Sequence, residues 1–173
     1  QIVTTSKYWW VGEGLGSGFI YLASGPVNAA LIATNRHVIE DASVIEVHDW
    51  QNNVYEAELV ASYNNIDLAV LRVCCDSRFE ALAVTDQIDV QAGDPVFALG
   101  FPGLLGIAGV TVTSGIVSAV REDDDGFYLI QHDAEIVPGN SGGPLISQDG
   151  ELLGVNTFGL FPFGLGTTGV EFA

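Results

Sequence analysis

Short runs of apolar and β-branched residues, separated by Gly, Pro, Asn and Asp, recur along almost the whole chain of 173 residues. Runs of this length with turn residues this frequent are typical of an all-β sandwich or barrel. The runs are GFIYLAS (18–24), AALIATNRHV (29–38), SVIEVHDW (43–50), VYEAELVASY (54–63), DLAVLRVC (67–74), PVFALG (95–100), GVTVTSGIVSAV (109–120), GFYLIQHD (126–133), PLIS (144–147), ELLGVNTF (151–158) and TTGVEFA (167–173). Helical periodicity is confined to about one turn near His37 to Asp41. The sequence therefore predicts an all-β fold.

A less regular stretch, DSRFEALAVTDQIDVQAGD (76–94), divides these runs into two sets of about six strands each. Closing a sheet into a barrel removes exposed strand edges, which otherwise pair with other chains. We therefore predict two six-stranded antiparallel β-barrels that pack together as one domain. Residues 1–83 are expected to form the N-terminal barrel and residues 84–173 the C-terminal barrel.

The charge of the chain is strongly acidic, with 22 Asp and Glu against 5 Lys and Arg and a formal net charge of −17. Such a chain repels nucleic-acid phosphates and anionic lipids, so we expect no nucleic-acid partner. No apolar run approaches the roughly 18–20 residues needed to cross a bilayer, so we expect no membrane insertion. The sequence contains no Met, and we expect a processed or excised chain located in the periplasm or outside the cell.

The stretch EIVPGNSGGPLIS (135–147) places Ser141 among Pro, Gly and Asn residues that form turns. Its GNSGG core formally matches the G-x-S-x-G turn of α/β-hydrolases, in which the acid and the histidine follow the serine. No histidine follows Ser141, and the rest of the chain shows no alternation of strand and helix, which excludes that fold. The remaining arrangement is His, then Asp, then Ser, the chain order of chymotrypsin-type proteases.

Three histidines precede the serine, and His37 is the best candidate base because it follows an apolar strand in ATNRHVIEDA. His48 has the charged neighbours of a surface strand, and His132 lies at a strand end near the serine. Asp67 opens the apolar run DLAVLRV, where a buried carboxylate needs a hydrogen-bond partner. Each residue alone has an ordinary structural interpretation. Together, in this order, they predict a catalytic triad of His37, Asp67 and Ser141.

The expected chemistry follows from the residue types. A serine hydroxyl is a poor nucleophile at neutral pH, so His37 is expected to accept its proton during attack. Asp67 is expected to hold the imidazole tautomer and to stabilise the imidazolium that forms. Glycines beside the serine allow backbone N–H groups to approach a developing oxyanion. The predicted oxyanion hole consists of the amides of Gly139 and Ser141, with Asn140 as a third candidate.

Several longer segments carry a more specific pattern: TNRHV (34–38), DLAVLRV (67–73), GDPVFALGFP (93–102), TVTSGIVSAV (111–120), HDAEIVPGNSGGPLIS (132–147), LLGVNT (152–157) and GVEFA (169–173). They closely resemble the protease domain of the HtrA/Deg-type trypsin-like serine peptidases. The resemblance implies two six-stranded barrels with the active site in the cleft between them. It places the triad on His37, Asp67 and Ser141 and the oxyanion hole on Gly139, Asn140 and Ser141. We expect no metal and no cofactor. Regulation through the PDZ domain that many relatives carry is not carried over to this chain.

The resemblance also implies a pocket for the side chain before the scissile bond, walled by residues 135–139 and by the strand from 154 to 158. An acid at the position of Glu135 in a trypsin-like pocket favours Lys or Arg, whereas HtrA-type relatives usually have a small residue there. Ile136 and Val137 fit small or medium aliphatic residues, which is the specificity that we predict. The predicted substrate-binding residues are Glu135, Ile136, Val137, Val155, Asn156, Thr157 and Phe158.

The predicted function is a serine endopeptidase whose substrates are unfolded or extended polypeptides, which add to the cleft as a β-strand. The alternative is a proteolytically latent or inactive protein of trypsin-like fold that acts in binding or as a scaffold. Retention of the whole triad and of the PGNSGG loop favours the enzyme. Family trimers often use aromatic N-terminal contacts, which makes Tyr8, Trp9 and Trp10 candidates for a homotrimer interface. Packing of these rings on their own barrel is the alternative.

Overall fold

The computed structural model describes residues 1–6, 13–24, 29–74, 79–84, 89–101, 109–122, 126–157 and 167–168. Regular structure in these ranges is almost entirely β, which confirms the predicted all-β class. The strands are β1 (Ile2–Ser6), β2 (Glu13–Gly16), β3 (Phe19–Ser24), β4 (Ala29–Asn35), β5 (Ala42–His48), β6 (Val54–Glu56), β7 (Glu58–Tyr63), β8 (Leu68–Val73), β9 (Pro95–Gly100), β10 (Thr111–Glu122), β11 (Tyr128–His132), β12 (Pro144–Ser147), β13 (Leu152–Val155) and β14 (Thr167–Thr168). One short helix, α1 (Arg36–Ile39), follows β4. No helix in the described ranges is long and apolar enough to span a membrane.

Strands β1 to β8 form two four-stranded antiparallel sheets, in the orders β2-β1-β5-β6 and β3-β4-β8-β7. Both sheets contribute side chains to one shared core, which contains Ile2, Ile32, Leu71 and Val73. Full burial of an aliphatic side chain of this size contributes roughly 1.5–3 kcal/mol. This half of the chain therefore has two packed sheets where the sequence predicted one closed barrel of six strands.

The extra strands have physical explanations. Strands β1 and β2 are not predicted from the sequence, because IVTTS and EGLG are short and mixed in polarity. The single predicted run at 54–63 divides at Ala57 into β6 and β7, which belong to different sheets. Ala57 is buried and its N–H donates to the Ile45 carbonyl at 2.9 Å, so the chain bends inward where it passes between the sheets.

Strands β9 to β14 form a closed barrel in the order β10-β11-β14-β13-β12-β9. Its six strands agree with the prediction for the C-terminal half. Val96, Ala98, Val117, Ile130 and Leu145 are buried in its interior, and these residues alternate along the strands with more exposed ones. The exact division of the chain between residues 83 and 84 stays a prediction.

A third apolar cluster joins the two halves. Phe19, Ala33 and Leu68 of the first half pack against Leu152 and Val155 of the barrel. Through this cluster the outer face of β3, β4 and β8 packs against β13. It therefore fixes the distance between the loops at the ends of these strands, which is where the predicted catalytic residues lie.

Candidate active site

His37 and Asp67 are brought together by the pairing of two antiparallel strands. Asn35 at the end of β4 is paired with Leu68 at the start of β8, so the residues just beyond this pair are neighbours. The Nδ1 atom of His37 lies 2.6 Å from Oδ2 of Asp67. The backbone N–H of His37 donates to the other carboxylate oxygen at 2.9 Å. One carboxylate therefore holds both the ring and the backbone of His37, on the predicted helical turn.

The turn that presents Asp67 is itself held by hydrogen bonds. Asp67 has a φ of 51°, in the left-handed region that Asp and Asn tolerate better than other residues with a side chain. Its carbonyl accepts hydrogen bonds from the Arg36 N–H and the Asn35 side-chain amide, each at 3.0 Å. These two hydrogen bonds to one carbonyl fix the Asp67 backbone, which keeps the carboxylate beside the His37 ring.

Thr157 supplies a third donor to the same carboxylate. Its hydroxyl donates to Oδ2 of Asp67 at 3.1 Å. Burial alone raises the pKa of Asp67, but the hydrogen bonds and charge of His37, with the Thr157 hydroxyl, outweigh it and leave the pKa below its ordinary value. Asp67 is therefore a carboxylate at neutral pH. Because a carboxylate only accepts hydrogen bonds, the proton lies on Nδ1 of His37 and Nε2 is left as the basic atom.

Ser141 lies in the loop between β11 and β12 with only 8% of its surface exposed. Its carbonyl accepts a hydrogen bond from the Ser17 N–H at 2.8 Å, and the next N–H, of Gly142, donates to the Asn156 carbonyl at 2.8 Å. Gly142 has a φ of 85°, and a side chain there would collide with Ser17 and Thr34. Only glycine therefore allows the loop to lie this close to the first half of the chain.

This packing also brings the serine loop next to the histidine segment. The position of a Cβ on Gly142 lies 3.1 Å from the Asn35 backbone nitrogen, two residues before His37. Among the described residues, however, no hydrogen bond joins the His37 ring to the Ser141 hydroxyl. Such hydrogen bonds are often long in ligand-free enzymes and shorten when substrate binds. The structure thus contains the His–Asp pair and places the serine loop beside it.

The predicted oxyanion-hole amides divide into two kinds. Val137 to Asn140 form a tight turn in which the Asn140 N–H donates to the Val137 carbonyl at 3.0 Å. Gly139 occupies its third position with a φ of 99°, as a type II turn requires. In the described part of the chain no acceptor is bonded to the Gly139 or Ser141 N–H. The third predicted donor, Asn140, is therefore already engaged, while the other two are available.

The predicted pocket residues on the serine loop take different positions. Glu135 has an exposed side chain, and its carbonyl accepts a hydrogen bond from the Thr113 hydroxyl at 2.8 Å. Ile136 is buried in the core of the barrel, and Val137 is half-buried. The carboxylate of Glu135 is thus on the surface in this state, and not at the bottom of an enclosed pocket.

The pocket residues predicted on and after β13 have mainly structural contacts. Val155 is fully buried in the cluster between the halves. Asn156 is also fully buried, and its side-chain N–H groups donate to the Leu99 and Pro144 carbonyls at 3.1 and 3.0 Å. Both side chains are fully buried in these contacts, and their contact with substrate stays a prediction. Thr157 bonds to Asp67, and Phe158 lies outside the described residues.

The other two histidines have different environments. His48 is half-buried, with Nε2 3.4 Å from a carboxylate oxygen of Glu46. His132 is buried in β11, and this burial lowers its pKa, although the charge of Asp133 and a hydrogen bond with the Ala134 backbone partly oppose the shift. His37 is therefore the histidine that has the environment of a general base.

The Tyr8, Trp9 and Trp10 segment lies outside the described residues, so the homotrimer stays a prediction.

A cavity of about 700 Å³ lies behind the serine loop and is separate from the His–Asp pair. Its inner end is formed by Ser17, Gly100 and Phe101, and its outer rim by Trp50 and Phe79. In the ranges that the structure covers, no group of three or more His, Cys, Asp or Glu residues is arranged to hold a metal ion.

Ser17 is the residue of this region that sequence reasoning missed. It makes hydrogen bonds to the loop that carries Ser141 from the turn between β2 and β3. The only local signal is the pair of flanking glycines in GLGSGF (14–19), which suggested no more than a turn. Its bonding partner Gly139 is 122 positions away in the sequence, a separation at which no short motif is visible.

Comparison with known proteins agrees with this geometry. A family model described as a trypsin-like peptidase domain matches residues 16–155. The periplasmic pH-dependent serine endoprotease DegQ of Escherichia coli K12 is 39% identical over 165 residues, which are 93% of this chain and 34% of DegQ. The periplasmic serine endoprotease DegP of the same organism is 36% identical over 171 residues, which are 94% of this chain and 35% of DegP.

Solved structures show the same relationship. A serine endoprotease from Yersinia pestis has a TM-score of 0.75 and 36% identity, and the match covers 98% of this chain and 57% of that one. The HtrA-type protease AlgW with a tripeptide has a TM-score of 0.79 and 34% identity, covering 98% and 55%. The chain thus spans about a third of the length of the curated relatives and a little over half of these solved chains. The chain belongs to the family of trypsin-like peptidase domains, and its relatives are HtrA-type serine endoproteases.

Proposed function

We propose that this chain is a serine endopeptidase that acts through an acyl-enzyme, with His37, Asp67 and Ser141 as its catalytic residues. The observation that carries the proposal is the carboxylate of Asp67, which accepts hydrogen bonds from both the ring and the backbone of His37. A histidine with only a structural role does not need a carboxylate that fixes both its backbone and the tautomer of its ring. The relatives that match most of the chain are named serine endoproteases, which supports the same function.

The proposed mechanism gives each group a defined role. Nε2 of His37 accepts the proton of the Ser141 hydroxyl while the oxygen attacks the peptide carbonyl. The oxyanion accepts hydrogen bonds from the Gly139 and Ser141 amides, and loss of one such donor typically costs roughly 2.7–4 kcal/mol. The imidazolium then donates its proton to the leaving amine, and the acyl-enzyme remains. Water, deprotonated by the same Nε2 atom, hydrolyses the ester and restores Ser141.

The proposed substrates are unfolded or extended polypeptides. AlgW, a structural relative, is described with a tripeptide and with a decapeptide. An extended segment gains affinity from main-chain hydrogen bonds along a strand, so its sequence is read only at a few side-chain pockets. The relatives DegQ and DegP are named periplasmic, and we extend this location, and a part in protein quality control, to this chain.

A fluorophosphonate probe tests the catalytic assignment directly. Attack by the Ser141 oxygen forms a P–O bond and releases fluoride, so we expect wild-type protein to be labelled at Ser141 and Ser141→Ala to remain unlabelled. Ser118→Ala, an exposed serine on β10, is the matched control and should label like the wild type. The measurement is intact mass followed by peptide mapping. Wild-type protein that stays unlabelled would contradict the proposal and favour the latent or inactive scaffold.

Specificity for small or medium aliphatic residues before the scissile bond forms part of the proposal. Val137 is a half-buried aliphatic residue of the serine loop, while the Glu135 carboxylate is exposed to water, where its charge is well screened. We therefore expect a peptide library to be cleaved mainly after residues such as Val, Ala and Ile. Glu135→Gln should leave the profile unchanged. Cleavage dominated by Arg or Lys, lost in Glu135→Gln, would show that Glu135 selects a basic side chain instead.

A further inference from the structure

Ser17 makes four hydrogen bonds at the junction of three chain segments, although it lies in a turn far from the catalytic residues in sequence. It is only 3% exposed and sits between β2 and β3. Its N–H donates to the Ser141 carbonyl at 2.8 Å, and its own carbonyl accepts the Thr34 hydroxyl at 2.7 Å. These two bonds tie the nucleophile's backbone to β4, the strand that leads to His37.

The side chain of Ser17 makes a separate pair of bonds. Its hydroxyl donates to the Gly139 carbonyl at 2.6 Å and accepts from the Phe101 N–H at 2.7 Å. Phe101 directly follows β9, so the hydroxyl joins the turn of the first half to two segments of the barrel. A hydroxyl is suited to this position because it donates and accepts at once. The substitution Ser17→Ala leaves the Gly139 carbonyl and the Phe101 N–H without these hydrogen-bond partners.

The Gly139 carbonyl matters because it sets the orientation of a peptide plane in the oxyanion turn. On one side of the Gly139–Asn140 peptide the carbonyl bonds to Ser17, and on the other the Asn140 N–H bonds to Val137. Glycine has little intrinsic preference between this orientation and its alternatives. The Gly139 and Ser141 amides belong to the peptides on either side of this plane, so its orientation sets the ψ of Gly139 and the φ of Asn140, and through them the relative direction of the two donors.

We propose that Ser17 is a positioning residue, whose hydroxyl holds the Gly139–Asn140 peptide so that the Gly139 and Ser141 amides converge on the oxyanion. The inference rests on the proposed function, since the convergence matters only for a reaction that forms an oxyanion. This positioning adds a requirement beyond the triad. The serine loop has its active conformation only when it packs against the first half of the chain. Ser17 itself does not touch the substrate.

The test compares Ser17→Ala with Ser17→Thr, which restores a hydroxyl, and with Ser43→Ala. Ser43 is an exposed serine whose hydroxyl also donates to a carbonyl, that of Thr5 at 3.1 Å, and it serves as the matched control. We expect Ser17→Ala to lower kcat by about 10- to 100-fold with KM within about twofold of wild type, because an oxyanion donor acts mainly in the transition state. Affinity for a peptide boronic acid, which forms a tetrahedral adduct with the serine, should fall by the same factor. Ser17→Thr should recover most of the kcat and most of the boronic-acid affinity, and Ser43→Ala should match the wild type in both.

Amide hydrogen exchange provides a readout that does not depend on activity. We expect the peptide that covers residues 136–143 to exchange faster in Ser17→Ala than in wild type or Ser43→Ala, at a temperature where melting curves show all three folded.

If Ser17→Ala does not fold, Thr34→Val, which removes only the bond to the Ser17 carbonyl, should show a smaller change in the same direction. Unchanged kcat, boronate affinity and exchange would overturn the proposal, as would a folded Ser17→Thr as impaired as Ser17→Ala. If wild type lacks activity but the exchange difference appears, the proposed function fails while the positioning by Ser17 stands.

Discussion

We expect Ser141→Ala to lower kcat by about 10⁶-fold, which corresponds to about 8 kcal/mol of transition-state stabilisation. Without the hydroxyl no acyl-enzyme forms, and the remaining rate comes from water that attacks a substrate held by the oxyanion amides. His37→Ala should cost nearly as much, because the serine then has no acceptor for its proton. The measurement is the single-turnover rate with a fluorogenic peptide.

The double variant His37→Ala with Ser141→Ala makes this prediction specific to a triad. Residues that act as one unit give losses that do not add, so the double variant should be no slower than Ser141→Ala alone. Two independent contributions would instead multiply, and the double variant would fall far below either single change. That multiplicative result, measured with folded protein of equal purity, would contradict the assignment of His37 as the base for Ser141.

Asp67→Asn is expected to lower kcat by about 10⁴-fold while leaving the fold in place. Asn tolerates the left-handed backbone found at this position, with its φ of 51°, so the turn should persist. The amide of Asn can donate to Nδ1 of His37, which moves the ring proton to Nε2. The ring then presents a donor to Ser141 where the reaction requires an acceptor.

A matched control for this change is Asp41→Asn. Asp41 is also an aspartate with a positive φ, 61°, but it is exposed and follows α1 outside the hydrogen bonds around Asp67. We expect Asp41→Asn to retain nearly full kcat, measured with the same peptide. A comparable loss in both variants would indicate that backbone strain, and not the tautomer of His37, explains the effect of Asp67→Asn.

Stability against acid gives a second readout for Asp67. Because its pKa in the folded protein is below the unfolded value of about 3.9, the ionised group stabilises the fold above that pH. This contribution is lost as the pH falls through the folded pKa. The difference in free energy of unfolding between wild type and Asp67→Asn should therefore be largest near neutral pH and shrink as the pH falls below about 4. A difference that is independent of pH would contradict an ionised Asp67.

Much of the strand content could be predicted because alternation is a local property. PVFALG coincides with β9, where inward and outward side chains alternate, and PLIS coincides with β12, which turn residues follow. Strands β1 and β2 could not be predicted in this way, because their pairing with each other and with β5 stabilises them more than their own composition. The same reason applies to the division at Ala57, which depends on the separation of two sheets.

For the candidate site, the sequence by itself determined the kinds of groups: a histidine after an apolar strand, an aspartate before another, and one serine in a glycine-rich turn, in that order. Only the tertiary structure decided how they are connected. Thr157 bonds to Asp67 across 90 positions, and Ser17 bonds to Gly139 across 122. The physical reason is that a hydrogen bond depends on distance and angle in space. Those are set by packing of β3, β4 and β8 on the barrel, while the sequence records only neighbours along the chain.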